Sequence, residues 1–133
     1  MSNMSLPGLL LTGFIAALFV GCSGSGEGTQ PVGGTVTYVD GAPVAGGTIL
    51  FIDADRNSSS VGYIQQDGTY RLGTFEETDG APQGKYRVTI LGDSEYGQSS
   101  PIASQYGDRE KSPLEAEVTR GKNTIDFQVE PAG

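Results

Sequence analysis

Leu114-Glu115-Ala116-Glu117-Val118-Thr119-Arg120-Gly121-Lys122-Asn123-Thr124-Ile125-Asp126-Phe127-Gln128-Val129-Glu130 carries two runs of strict alternation around a polar turn. Leu114, Ala116 and Val118 alternate with Glu115, Glu117 and Thr119. Ile125, Phe127 and Val129 alternate with Asp126, Gln128 and Glu130. Successive side chains of a strand point to opposite faces, so each run predicts a strand with one apolar and one polar face. The Arg120-Gly121-Lys122-Asn123 turn between them predicts a hairpin with one side against a core and one in water.

The same period of two extends upstream. Val36 and Tyr38 alternate with Thr35, Thr37 and Val39 before an Asp40-Gly41 turn. Thr48-Ile49-Leu50-Phe51-Ile52 is apolar on both faces, which predicts a strand covered on each side. Val61 and Tyr63, with neighbouring Ile64, lead into the Gln66-Asp67-Gly68 turn and then Thr69-Tyr70-Arg71-Leu72. Tyr86, Val88 and Ile90 share one face of Lys85–Ile90. The chain thus reads as all-β, with about seven short strands in an antiparallel sandwich. Twenty-one glycines in 133 residues fit the many turns this requires. The exception is residues 92–113, long, polar and rich in Ser, Gln, Gly and Asp, with Tyr96, Ile102 and Tyr106 as anchors. A connection of that length is either functional or loosely ordered.

Composition narrows the chemistry. There is no histidine, so histidine-dependent nucleophile systems and most catalytic zinc sites are excluded. One cysteine closes no intramolecular disulfide. A net charge of −8 argues against a nucleic-acid partner, which wants a basic face. No cofactor and no metal is implied, and the expectation is that the protein is not an enzyme.

Charge is absent from Met1 to Gly26, and Glu27 is the first ionised side chain. Within that stretch Leu9 to Val20 is apolar apart from Thr12 and Gly13, a length suited to a signal peptide and short of the roughly 20 residues of a spanning helix. Phe19-Val20-Gly21-Cys22 resembles the bacterial lipobox, in which the chain is cut before a cysteine whose thiol takes a diacylglyceryl group. This implies a lipoprotein signal peptide over residues 1–21, lipidation at Cys22 and a Gly/Ser-rich tether over residues 22–30. Acyl chains contribute about 0.8 kcal/mol per buried methylene, enough in combination to hold the domain on a membrane. Ser23 after the cysteine resembles lipoproteins exported onward to an outer membrane. The expected location is therefore the cell envelope, at the outer membrane or the periplasmic face.

Four further stretches carry a family resemblance. Gly34-Thr35-Val36 through Asp40-Gly41-Ala42-Pro43-Val44-Ala45-Gly46-Gly47 to Ile49-Leu50-Phe51 resembles the opening of a carboxypeptidase regulatory-like domain. Gln66-Asp67-Gly68-Thr69-Tyr70-Arg71-Leu72 and Ala81-Pro82-Gln83-Gly84-Lys85-Tyr86-Arg87-Val88 resemble its second and third signatures. Gln105-Tyr106-Gly107-Asp108 with Ser112-Pro113-Leu114 resembles a fourth, seen in small planctomycete lipoproteins. The resemblance implies a seven-stranded transthyretin-like (prealbumin-like) Greek-key β-sandwich over residues 31–131. It carries no site chemistry, because fold does not carry function. Related sandwiches that form lysine–asparagine crosslinks want a lysine on the first strand, which is missing here, and transthyretin relatives that hydrolyse a purine-derived ring rely on histidine.

Individual candidates have plain rivals. Asp53-Ala54-Asp55-Arg56-Asn57 has the alternating oxygens of a calcium loop, but Ser58 stands where an EF-hand needs glycine and Ile64 where it needs glutamate. Glu76, Glu77 and Asp79 form a second acidic cluster that reads as a loop. Glu115 and Glu117 share a strand face, which solvent explains without a catalytic cleft. Tyr38, Tyr63, Tyr70 and Tyr86 lie in strands as core or sheet-face residues. Tyr96 and Tyr106 are the candidate ligand contacts, placed to stack on a sugar or peptide, and a core or loop-anchoring role is the stronger reading for both. The reading that results is a membrane-tethered, non-enzymatic envelope lipoprotein contacting an envelope protein or glycan. The alternative is a carbohydrate- or peptide-binding module using the 92–113 segment.

Overall fold

The computed structural model describes residues 28–94 and 100–133, and their architecture is all-β. The strands are β1 (Thr29–Gln30), β2 (Val32–Tyr38), β3 (Gly47–Asp53), β4 (Ser58–Ile64), β5 (Thr69–Gly73), β6 (Ala81–Pro82), β7 (Gly84–Gly92), β8 (Glu115–Val118), β9 (Asn123–Thr124) and β10 (Phe127–Val129). β1 pairs with β6, so the ordered ladder begins inside the stretch read as tether. The remaining strands form one curled, nearly closed sheet in the order β10-β2-β5-β4-β3-β7-β8, with β9 also on β2.

The predicted turns are where alternation placed them. Gly41 has φ +97° and donates to the Tyr38 carbonyl, while the Asp40 carboxylate accepts from Ala42 N–H. Gly68 has φ +89°, and Asp67 accepts from both the N–H and the hydroxyl of Thr69. Only glycine adopts those backbone angles without strain. β5 then serves two partners. Leu72 and Gly73 pair with β4, whereas Thr69 to Arg71 pair with Gly33 to Thr35 of β2. That shared strand turns the sheet through its corner.

The last two strands do not form the predicted hairpin. β8 pairs antiparallel with β7, and β9 and β10 run parallel to β2, at opposite ends of the strand order. The sheet is therefore not wholly antiparallel, contrary to what the alternation predicts. Asn123 explains the divergence. Its amide oxygen accepts from Thr119 N–H, and its amide nitrogen donates to the carbonyls of Thr119, Gly121 and Pro31. The turn is thereby fastened to the start of β2 instead of folding back on β8. Each strand keeps its predicted alternation, because Val118, Phe127 and Val129 are buried while Glu117 and Gln128 face out.

β10 reaches β2 through a tight seam. The Tyr70 hydroxyl donates to the Ile125 carbonyl at 2.7 Å, and Thr35 N–H donates to the Asp126 carboxylate at 2.9 Å. A Cβ on Gly34 would overlap the Ile125 carbonyl, so this approach demands glycine. Inside, Phe51 of β3 packs edge-on to Phe127 of β10 with centroids 6.0 Å apart, and lies 5.6 Å from the Tyr86 ring. Phe127 in turn lies 6.5 Å from Tyr70. Four strands thus meet at one aromatic cluster.

Two further expectations change. β3 is fully buried on the Ile49–Phe51 face, but Leu50 and Ile52 on the other face are only half-buried, bordered by Arg109. The described part of the 92–113 connection is packed rather than loose. Ile102 bridges to Pro131, Ala103 N–H donates to the Glu130 carbonyl at 3.0 Å, and Ala132 N–H to the Pro101 carbonyl at 2.9 Å. Ser112 is buried, its hydroxyl donating to the Val88 carbonyl at 2.6 Å. The segment closes the gap between the two sheet edges.

Ile102, 2% exposed, should cost about 2–5 kcal/mol when cut to alanine, measured by urea denaturation. Gly34→Ala, which drives a methyl into the β2 seam, is expected to cost at least about 1–3 kcal/mol by the same measurement.

Candidate functional site

Of the candidate site residues, Cys22 and Tyr96 lie outside the described residues. Tyr106 is placed on the 3-10 turn Ser104–Gly107 and is 7% exposed, a member of the hydrophobic core. Its ring anchors the segment and presents no face on which a sugar could stack.

The acidic candidates are engaged with their own surroundings. Asp53 is buried at the end of β3, and one oxygen accepts from Asp55 and Arg56 N–H groups at 3.1 and 3.2 Å. The other pairs with Arg56 Nε at 2.6 Å, and Arg56 Nη2 reaches the Gln83 carbonyl at 2.9 Å. The Arg56 hydrogen bond, outweighing burial, holds the Asp53 carboxyl below its ordinary value of 3.8. This turn is a self-satisfied clasp between β3–β4 and the entry to β7, not an open calcium loop.

Asp79 orders its loop by accepting from Thr74 and Phe75 N–H groups at 2.7 and 3.2 Å. Burial pushes its carboxyl up, but the N–H donors of Thr74, Phe75 and Glu76 together hold it below 3.8. Glu115 and Glu117 stand opposite Arg87 and Lys85 across the β7–β8 ladder. Such cross-strand pairs contribute roughly 0.2–1 kcal/mol each and explain the two glutamates without catalysis. Among the described residues no group of three or more metal-binding side chains converges.

A different surface emerges on the outside of β2, β5 and β4. The inner face of β4 is Ser60, Gly62 and Ile64, so Val61 and Tyr63 face outward. Two of the three inner positions, Ser60 and Gly62, are small, and the larger Val61 and Tyr63 take the outer face. A Cβ on Gly62 would crowd Ile49 and Leu72, and the buried Ser60 hydroxyl bonds that of Thr74 at 2.7 Å. Tyr63 is consequently 61% exposed. It borders a trough with Arg71 of β5, Gly33 of β2, Glu77, and Lys122 from the β8–β9 turn. The sequence signal for it was Gly62, whose missing side chain marks the crowded face of β4.

The Asp53–Arg56 clasp has a defined pH dependence. A carboxyl held low in the fold adds stability above its unfolded value and loses it as pH falls through the lower folded value. Arg56→Gln should therefore lower the urea midpoint at pH 7, with the difference from the parent shrinking below about pH 4. The Tyr63 environment predicts the contrast that Tyr63→Ala leaves the midpoint within about 0.5 kcal/mol, whereas Tyr106→Ala costs about 3–5 kcal/mol. No protein-family model, no curated protein and no solved structure matches the chain.

Proposed function

We propose that this chain is an exported lipoprotein, cut before Cys22 and acylated there, whose β domain acts as a non-enzymatic structural or interaction module at the cell envelope. The observation that carries this reading is the position of the single cysteine. It stands between an uncharged apolar run and a Gly/Ser stretch, and six residues separate it from Thr29, where β1 begins. At about 3.3–3.6 Å per residue such a spacer reaches no more than about 25 Å. The end of the domain formed by β1, β6 and the Arg120–Lys122 turn would face the membrane, since Gln30 bonds Gly121 N–H there.

We further infer that the domain is a transthyretin-like, Greek-key sandwich of the carboxypeptidase regulatory type. The strand order supports it: β10-β2-β5 and β4-β3-β7-β8 are consecutive runs of one curled sheet joined at β5–β4, with a parallel β2–β10 pair. The non-enzymatic reading rests on the missing histidine and on Asp53 and Asp79 being engaged by structural partners.

Metabolic palmitate labelling tests the anchor. The parent protein should incorporate label and sediment with membranes, while Cys22→Ser should do neither. A parent protein that stays unlabelled and soluble would overturn the proposal.

A further inference from the structure

Of the tyrosines in the described strands and turns, Tyr70, Tyr86 and Tyr106 are buried, while Tyr63 is left facing solvent. Its neighbours make the position more than an exposed ring. The β4–β5 ladder pairs Val61 with Gly73 and Gly62 with Leu72, and one further step in that register sets Tyr63 opposite Arg71. Arg71 is paired with Gly33 of β2, and its stem lies 3.5 Å from where a Gly33 side chain would begin. The Arg71 stem therefore lies against β2 at Gly33. Lys122 borders the far side, and neither cation makes an ion pair among the described residues. One acid, Glu77, also lines the trough. In a chain of net charge −8, this is a local excess of positive charge beside an aromatic face.

We propose that this trough binds an acidic carbohydrate, a glycan carrying uronic-acid carboxylates. An aromatic ring offers a flat apolar face to the C–H side of a pyranose. A planar guanidinium offers two parallel N–H donors to a carboxylate, and an ammonium adds a point charge. Glu77 supplies an acceptor for sugar hydroxyls. The site is independent of the lipid anchor, since every residue in it lies within the β domain.

The test is a titration of the full chain in detergent micelles, followed by NMR of backbone amides. The probes are trimers of galacturonate, glucuronate and mannuronate, each beside its methyl ester, up to about 10 mM. At least one acid should shift the amides of Tyr63, Arg71, Gly33 and Lys122, and its ester should bind about tenfold more weakly. Tyr63→Ala and Arg71→Gln should each weaken binding about tenfold or more while the fold stays intact. Lys111→Gln, away from the trough, should change nothing. The proposal is overturned if none of the three acids shifts those amides, if acid and ester bind alike, or if the shifts map to residues 100–113.

Discussion

The fold hangs on the parallel seam between β2 and the C-terminal strands. Tyr70 on β5 reaches across β2 to the Ile125 carbonyl, and Gly34 leaves the room for that carbonyl to come close. A buried carbonyl without a donor costs about 1–3 kcal/mol, so the hydroxyl and the glycine act together. Burial also pushes the Tyr70 hydroxyl well above its ordinary value of 10.0, so it keeps its proton and remains a donor at every ordinary pH. Once β10 is seated on β2, Phe127 meets Phe51, and Pro131 comes within reach of Ile102. The strap over residues 100–113 then has an edge to close against. Each later contact presupposes the earlier one.

The seam also explains why a domain with modest apolar content has a continuous core. Its buried side chains come from nearly every strand and include Ile102 and Tyr106 from the connecting segment. A stretch that looks polar in composition contributes two of the residues that seal one end. Long polar connections need few apolar side chains to be held, provided their backbone groups find partners, as Pro101, Ala103 and Ser112 do.

Where chemistry was sought, the structure spends the charged groups on itself. Asp53 is clasped by Arg56, Asp79 by its loop, and Glu115 and Glu117 stand opposite cations. Of these two tyrosines the exposed one is Tyr63, not Tyr106. Sequence alternation grouped Tyr63 with the strand tyrosines, and Tyr106 with an open loop. Tyr106 takes the anchoring role, and volume chose the sheet face for Tyr63: Gly62 and Ser60 face Ile49, Leu72 and Thr74, and a ring on that side had no space. A single sequence shows which residues alternate, but at small or mixed positions it does not show which face points inward.

The sequence alone determined the local rules of this protein. Asp40-Gly41 and Asp67-Gly68 fixed turns through backbone angles that glycine permits, and period-two patterning fixed which stretches are strands. It also placed the lone cysteine at the junction of an apolar run and a flexible stretch. Only the tertiary structure decided that β8 and β10 lie at opposite sheet edges, that residues 100–113 form a seal, and that Tyr63 faces water beside Arg71. The reason is physical: turn chemistry and alternation act over a few residues, whereas strand partners and inward faces are chosen by packing among segments distant in the chain.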